Sequence, residues 1–222
     1  MINANLQKMQ LFKDLSLNEI EHFMKFTGTT IKNYPRGERV LEAFVSNANI
    51  GVLVQGRAQI LTLDRMGNET AGHSLECGAI FGAISAILVD EDSISTSIQV
   101  TTDALVMWIP YRSLLLAGPK LGRTHGIVIK NLLEAFSRKN VLMMQKIELL
   151  SQKTLRERVI LYLLQHEKRQ QTENVRVPGR VQFAKELECN RSALTREISQ
   201  MKDDGLIELG ADWMRLNKEK IA

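Results

Sequence analysis

The sequence predicts an α+β protein with a β-rich N-terminal domain, a long central helix and a C-terminal winged helix-turn-helix. Three observations predict this fold class. Eleven of the 14 glycines lie at or before Gly126, and residues 127–177 contain neither Gly nor Pro. Because both residues mark turns and interrupt helices, the first part should be rich in turns and the middle helical. After residue 154, helical and hairpin patterns alternate over short distances. We therefore divide the chain into residues 1–125, 126–151 and 152–222.

Length and composition exclude several classes of protein. The 222 residues fit one large or two modest domains, and a hydrophobic fraction of 44% is too high for a disordered chain. Two cysteines, Cys77 and Cys189, are too few for a disulfide scaffold and suit a reducing compartment. No apolar run approaches the ~18 residues of a membrane-spanning helix, and residues 1–13 lack the pattern of a signal peptide. A cytoplasmic protein with no membrane partner is expected.

The first 125 residues combine one helix with many short strands. Ser16 followed by Glu19 is a capping-box start for an amphipathic helix that carries Ile20 and Phe23. Beyond this helix the hydrophobic period changes to two, as in Ile50–Val54. Short strands at near-regular spacing are typical of a sandwich, a roll or a barrel.

A heptad pattern marks the long helix. Its apolar and single polar positions are spaced 3, 4, 3, 4 and 3 residues apart, at Leu133, Phe136, Asn140, Met143, Ile147 and Leu150. Such a seam can pack two identical helices, and a buried Asn can fix their register. The alternative is that this stripe only covers the chain's own β-domain, because two to three heptads are short for a coiled coil.

The last third carries the pattern of a winged helix-turn-helix. A first helix from Leu155 is followed by a short second one around Ala184, a turn at Cys189 and a third helix from Arg191 to Lys202. Two short β patterns then flank Gly210–Asp212 as a hairpin. The third helix presents polar side chains that can reach bases or phosphates, at Asn190, Arg191, Ser192, Thr195, Arg196 and Ser199. Arg180, where the second helix begins, is placed for a phosphate.

The distribution of charge supports a nucleic-acid-binding role for the last third of the chain. The net charge of the chain is +4, and residues 152–222 hold 14 Lys and Arg against 11 Asp and Glu. The mild basicity therefore lies mostly in the part expected to meet DNA. The alternative for this part is a small helical interaction domain with a solvated basic face. No phosphate loop, zinc-protease motif or serine-hydrolase motif occurs, so the sequence supports neither an enzyme nor a cofactor.

The order of several motifs resembles the Crp/Fnr family of bacterial transcription regulators. The resembling segments are Leu11–Ser16, Tyr34–Glu38, Val52–Gly56, Gly78–Gly82, Asn190–Glu197 and Gly205–Ile207. The resemblance implies a cyclic-nucleotide-binding-like double-stranded β-helix, or jelly roll, as a sensor, a long dimerisation helix and a winged helix-turn-helix. It implies base-reading roles for Arg191, Ser192 and Arg196, and phosphate contacts for Arg180 and Asn190. One departure is Glu188, which stands where many members have Gly.

The resemblance fails where members of the family bind cyclic AMP. Those members have a Glu after the position of Gly82, where this chain has Ala83, and an Arg some eleven residues on. Here that stretch is Ser93–Thr96, without a positive charge, so a cyclic phosphate would be poorly compensated. Asp90, Glu91 and Asp92 would repel it. The candidate effector pocket comprises Gly82, Ala83, Ser95, Thr96, Met143 and Met144, and its effector is expected to be an unidentified molecule other than cyclic AMP.

Other sensors remain as alternatives. An iron–sulfur cluster needs four cysteine ligands, which this chain lacks. Haem bound through His73 or Cys77, or a thiol switch at Cys77, would make the chain a redox sensor. A third alternative is a regulatory module that acts through protein contacts alone. The leading expectation is a homodimer that binds an inverted repeat in double-stranded DNA, with RNA polymerase as a further partner for which the Asp64–Thr70 hairpin is one candidate surface.

Overall fold

A computed structural model describes residues 6–64, 66–87 and 95–220. The chain forms two compact units, residues 1–137 and 138–222. The boundary falls inside the segment 126–151 that the sequence analysis treats as a separate part. The three-part division therefore stays a prediction, although each of its main elements is present.

The first unit opens with a 3-10 turn, Gln10–Phe12, and helix α1, Leu17–Thr27. The Ser16 backbone N–H donates to Glu19 Oε2 at 2.8 Å, and the Glu19 N–H donates to Ser16 Oγ at 3.4 Å. This confirms the predicted capping box, which satisfies N–H groups that the first turn leaves free. Ile20 and Phe23 are buried, as the helical period predicts.

Eight strands follow and form two four-stranded antiparallel sheets. The strands are β1 (Thr30–Tyr34), β2 (Arg39–Leu41), β3 (Asn49–Gln55), β4 (Ala58–Leu63), β5 (Glu69–Leu75), β6 (Ile80–Phe81), β7 (Thr96–Val100) and β8 (Ala104–Pro110). One sheet has the order β1-β8-β3-β6 and the other β2-β7-β4-β5. This arrangement confirms the predicted α+β class with an N-terminal β-sandwich. Short helices α2 (Ala83–Ile87), α3 (Tyr111–Leu116) and α4 (Gly118–Leu121) complete the connections.

Side chains from both sheets fill the interior of the sandwich. The Phe81 ring packs edge-on against Trp108, with ring centroids 5.5 Å apart. A side chain at Gly51 would clash with the packed Phe81 ring, so this strand position favours glycine. A second cluster joins α1 to the outer side of the first sheet through residues such as Phe23 and Met107.

Helix α5, Arg123–Leu150, crosses the boundary between the units. Its first half is tied into the first unit, because buried Asn131 donates from Nδ2 to the carbonyls of Leu11 and Lys13. Residues 137–144 are exposed throughout, and Leu149 is buried again in the core of the second unit. The continuous helix predicted from residue 126 is therefore present.

The second unit contains the predicted helix-turn-helix and hairpin. Its elements are α6 (Leu155–Gln170), β9 (Val175–Arg176), α7 (Arg180–Glu186), α8 (Arg191–Asp203), β10 (Ile207–Leu209) and β11 (Trp213–Leu216), followed by a 3-10 turn. The hairpin pairs β10 with β11, and Gly205 takes the left-handed conformation expected at the end of α8, with φ of 68°.

Several elements were not predicted from the sequence. Strands β1 and β2 flank Pro35 to Glu38, where the sequence offered only the family-like segment Tyr34–Glu38, and helices α3 and α4 were not predicted either. The residues Thr30, Lys32 and Asn33 give β1 no apolar alternation to detect. Strand β9 extends the wing to three strands by pairing with β11, and its two residues are too few to show a period.

Candidate nucleic-acid interface and sensor region

Helix α8 separates a buried face from a polar one. Leu194, Ile198 and Met201 are buried against the second unit's core. The polar residues predicted for DNA contact are all exposed on the remaining surface of the helix and its start, namely Asn190, Arg191, Ser192, Thr195, Arg196 and Ser199. The helical period therefore brings the predicted contact set together on one accessible surface.

The start of α8 adds backbone donors to this surface. Asn190 is the N-cap residue in an extended conformation, and its side chain makes no capping hydrogen bond. The first N–H groups of a helix have no partner within the helix and favour negative charge. Thr195 is partly occupied, because its Oγ1 donates to the Arg191 carbonyl at 2.9 Å and can only accept from a ligand.

Arg180 lies at the start of α7 and is half-buried. Burial lowers the pKa of its guanidinium from the usual value, which still leaves the group charged at neutral pH. Partial removal from water makes an anionic partner more favourable for this cation than for a fully solvated arginine.

Several arginines elsewhere in the second unit make internal contacts. Arg156 Nε lies 2.7 Å from Glu197 Oε1, and its Nη1 lies 2.7 Å from Asp204 Oδ2. The hydrogen bond to Glu197 is the main cause that raises the pKa of Arg156. Both carboxylates belong to α8 or its end, so Arg156 neutralises the acidic groups of this helix and ties it to α6.

The wing shows the same internal pairing. Arg215 contacts Glu208 across the hairpin at 2.5 Å, and Arg176 lies 3.9 Å from Asp212 at the tip. Within residues 6–64, 66–87 and 95–220, by contrast, no ion pair involves the three predicted DNA-contacting arginines, which are Arg180, Arg191 and Arg196. These three arginines are therefore available to an external anion.

The residues predicted for the effector pocket differ in burial and belong to both units, unlike the residues predicted on α8. Gly82 has φ of 71°, and its carbonyl accepts from Asn47 Nδ2 at 3.2 Å. Ala83 is only 7% exposed, and its methyl group lies in the apolar core of the first unit. Ser95 and Thr96 are half-buried at the start of β7, while Met143 and Met144 belong to the second unit and are exposed. Asp90–Ile94, on which part of the prediction depends, lie outside the described residues.

One cavity of the first unit lies away from those residues. It has a volume of about 430 Å³ and is open to solvent. Its lining consists of Asn33, Tyr34, Pro35, Gln55, Asp103, Ala104 and Leu105. The Tyr34 hydroxyl accepts from Trp108 Nε1 at 2.9 Å. Sequence reasoning did not find this cavity, because β1 carries no periodic signal.

The residues proposed for redox or metal chemistry are separate. His73 is exposed on β5, and the exposed Cys77 donates from Sγ to the Val54 carbonyl at 3.0 Å. In the part of the chain that the structure describes, no group of three or more His, Cys, Asp or Glu side chains is placed to hold a metal ion. The described helices also include none with the length and apolar character needed to cross a bilayer.

Known proteins with similar sequences or structures have the same kind of fold as this chain. Residues 31–116 match the family model of the cyclic nucleotide-binding domain. The catabolite activator protein of Thermus thermophilus is similar over 96% of this chain and 95% of its own, at 20% identity and a TM-score of 0.54. The c-di-GMP-responsive regulator CLP of Xanthomonas campestris is similar over 90% and 99%, at 15% identity and a TM-score of 0.55. CprK complexed with OCPA is similar over 91% and 94%, at 11% identity and a TM-score of 0.64. No curated protein sequence matches the chain.

The chain has the fold of the Crp/Fnr regulators. Within the Crp/Fnr fold, Glu188 occupies the helix-turn-helix turn with φ of 49°, which a residue other than Gly adopts uncommonly. The turn thus forms with glutamate in a conformation that favours Gly, and the departure from the family's pattern stays a prediction.

The residues of the predicted dimer seam divide into two groups. Leu133, Asn140, Met143 and Ile147 are exposed. Phe136 packs partly against the first unit's core, and Leu150 is half-buried. The stripe thus covers its own unit at Phe136, as the alternative interpretation holds, and leaves apolar surface over most of its length.

Proposed function

We propose that the protein is a homodimeric, sequence-specific DNA-binding transcription regulator of the Crp/Fnr type, controlled by a small effector other than cyclic AMP. One observation carries the proposal. The exposed face of α8 and the start of α7 hold three arginines without internal ion pairs in the described residues, while Arg156, Arg176 and Arg215 are paired. Because these three arginines have no ion-pair partner there, we assign them to contacts with DNA.

Arg191 and Arg196 are assigned to base edges, because arginine donates two hydrogen bonds to guanine. Ser192 and Thr195 lie beside them and accept from base or phosphate groups. Arg180 and Asn190 are assigned to phosphates, which fix the register of the protein on the duplex without reading sequence. The structural neighbours named above include an activator and a global regulator, which supports regulation rather than catalysis. A cytoplasmic location, where the DNA lies, belongs to the same proposal.

Dimerisation through α5 is supported by the exposed apolar residues of the seam. Leu133, Met143 and Ile147 are 60%, 54% and 63% exposed in the single chain. Each would be removed from water by a second copy, and apolar area removed from water stabilises association. Asn140 in the middle of the seam would set the register of the two helices. The effector would act by shifting the population of dimer arrangements.

The effector is proposed to differ from cyclic AMP because the first unit lacks the required chemistry. Ala83 offers a buried methyl group where a ribose-binding carboxylate would be needed, and Ser95 and Thr96 carry no charge. Among the structural neighbours, CLP responds to c-di-GMP and CprK binds OCPA, so the fold accepts several ligand chemistries. Isothermal titration with cyclic AMP should give no binding heat, and micromolar affinity would overturn this part of the proposal.

Selection of bound DNA from a random duplex library tests the main proposal. The full chain should enrich an inverted repeat with half-site centres about 34 Å apart, because two recognition helices related by a twofold axis enter successive major grooves. Failure to enrich any sequence would contradict DNA recognition and favour a module that acts through protein contacts. RNA polymerase is proposed as a further partner, to be tested by binding to the promoter-bound dimer.

A further inference from the structure

The turn between α7 and α8 is held by cations from outside the helix-turn-helix. Three carbonyls at the end of α7 are satisfied within the motif. The N–H of Leu187 donates to Phe183, that of Glu188 to Lys185 and that of Cys189 to Ala184. The next two carbonyls, of Glu186 and Leu187, accept instead from Lys146 Nζ and from Arg158 Nη1.

Lys146 belongs to α5, the helix that carries the proposed dimer seam. It follows Met143 by three residues and directly precedes Ile147. Besides the Glu186 carbonyl, its Nζ lies 3.6 Å from Glu188 Oε1. This single ammonium group therefore contacts both ends of the three-residue turn.

Arg158 makes a second connection of the same kind. Its Nη1 donates to the Leu187 carbonyl at 3.2 Å, and its Nε donates to the Gln152 carbonyl at 3.3 Å. Gln152 lies just beyond the end of α5, so Arg158 joins that end of the helix to the turn. Gln145 on α5 adds further contacts, accepting from Gln165 and Arg169 of α6.

The physical need for these cations comes from the turn itself. The last carbonyls of a helix have no partner within the helix, and their partial negative charge attracts cations. Glu188 adopts φ of 49°, an uncommon conformation for a residue other than Gly. Without these two cations, the Glu186 and Leu187 carbonyls would lose the partners that hold a turn without glycine, and α8 begins only three residues after Glu188.

We propose that Lys146 and Arg158 are positioning residues that fix the recognition helix relative to the distal half of α5. They act through the turn at residues 186–188, so operator recognition depends on side chains outside the helix-turn-helix. This inference rests on the proposed DNA-binding function. In this proposal, the contact of Lys146 with the turn transmits a movement of α5 to α8.

Lys146→Gln tests the proposal against Lys139→Gln, which removes the same charge from an exposed position of the same helix. Loss of a charged hydrogen bond should lower the affinity of Lys146→Gln for the selected operator by roughly five- to tenfold. Its affinity for unrelated DNA and the salt dependence of that binding should equal those of Lys139→Gln. Lys146→Arg, which retains a donor and the charge, should recover most of the operator affinity.

A second measurement does not depend on DNA. Hydrogen exchange of the free protein should be faster at the amides of Glu188 and Cys189 in Lys146→Gln and unchanged in Lys139→Gln. Unchanged exchange would overturn the positioning role even if the protein binds no specific DNA. Equal operator affinity of the two glutamine variants would overturn it where specific binding exists. If the wild-type protein binds no specific DNA but the two variants show the predicted difference in hydrogen exchange, the proposed DNA-binding function is contradicted and the positioning role stands.

Discussion

The two compact units differ in how their candidate sites are built. In the second unit, the residues of α8 and its N-cap that the sequence predicts to contact DNA are exposed together, because the helix places them by its own period. In the first unit, the predicted pocket residues have different surroundings. Ala83 is buried in the core, Ser95 and Thr96 are half-buried, and the cavity of the first unit described above is lined by other residues. A site on one helix follows from local sequence, whereas a site between strands depends on packing.

The difference extends to stability, because each unit has its own buried cluster. Phe183 and Phe23 are both fully buried, one in each unit. Phe183→Ala should destabilise the second unit by about 3–5 kcal/mol, since it removes a large side chain and leaves a cavity. In calorimetry, Phe183→Ala should lower the unfolding temperature of the second unit's transition. Phe23→Ala should lower that of the first unit's transition. A single transition that both variants lower equally would show that the units are not independent.

The next largest effect is expected on the DNA affinity of the second unit. Arg191→Ala should weaken binding to the selected operator by about 1–3 kcal/mol, because it removes a contact to a base edge. Lys202→Ala is the matched control, since Lys202 is exposed near the other end of α8. Fluorescence anisotropy with operator DNA measures both. Equal losses in the two variants would show that charge alone, and not the position of Arg191, determines affinity.

The smallest expected effect is a pH dependence of the second unit that His166 causes. His166 stacks on Tyr162, with ring centroids 3.8 Å apart, and lies near Arg169 and Glu186. Burial lowers the pKa of His166, so folding favours its neutral form. The unfolded state binds the proton more readily, and the second unit should lose stability as the pH falls through the range below about 6.5.

His166→Phe keeps an aromatic ring on Tyr162 and removes the titrating group. It should flatten the change in unfolding temperature of the second unit between neutral and mildly acidic pH. The first unit serves as the internal control. An unchanged pH profile in the variant would assign the effect to other groups.

Local signals account for most of what the sequence predicts about the fold. The capping box at Ser16 and the seam period of α5 are contained in a few neighbouring residues, and both elements are present in the structure. Strand β9 escapes prediction because its partner β11 lies far along the chain and its two residues show no period. The contact from Lys146 to the Glu186 carbonyl is hidden for the same reason, since 40 residues separate the two.

The most direct test of the account changes the spacing of the operator. Five base pairs inserted between the half-sites rotate one by about half a turn of the duplex, so two rigidly paired recognition helices cannot reach both. Operator affinity should fall to the level of a single half-site, whereas ten inserted base pairs should restore the facing of the grooves and the affinity. Equal affinity for the original and the five-base-pair operator would contradict recognition by a symmetric homodimer.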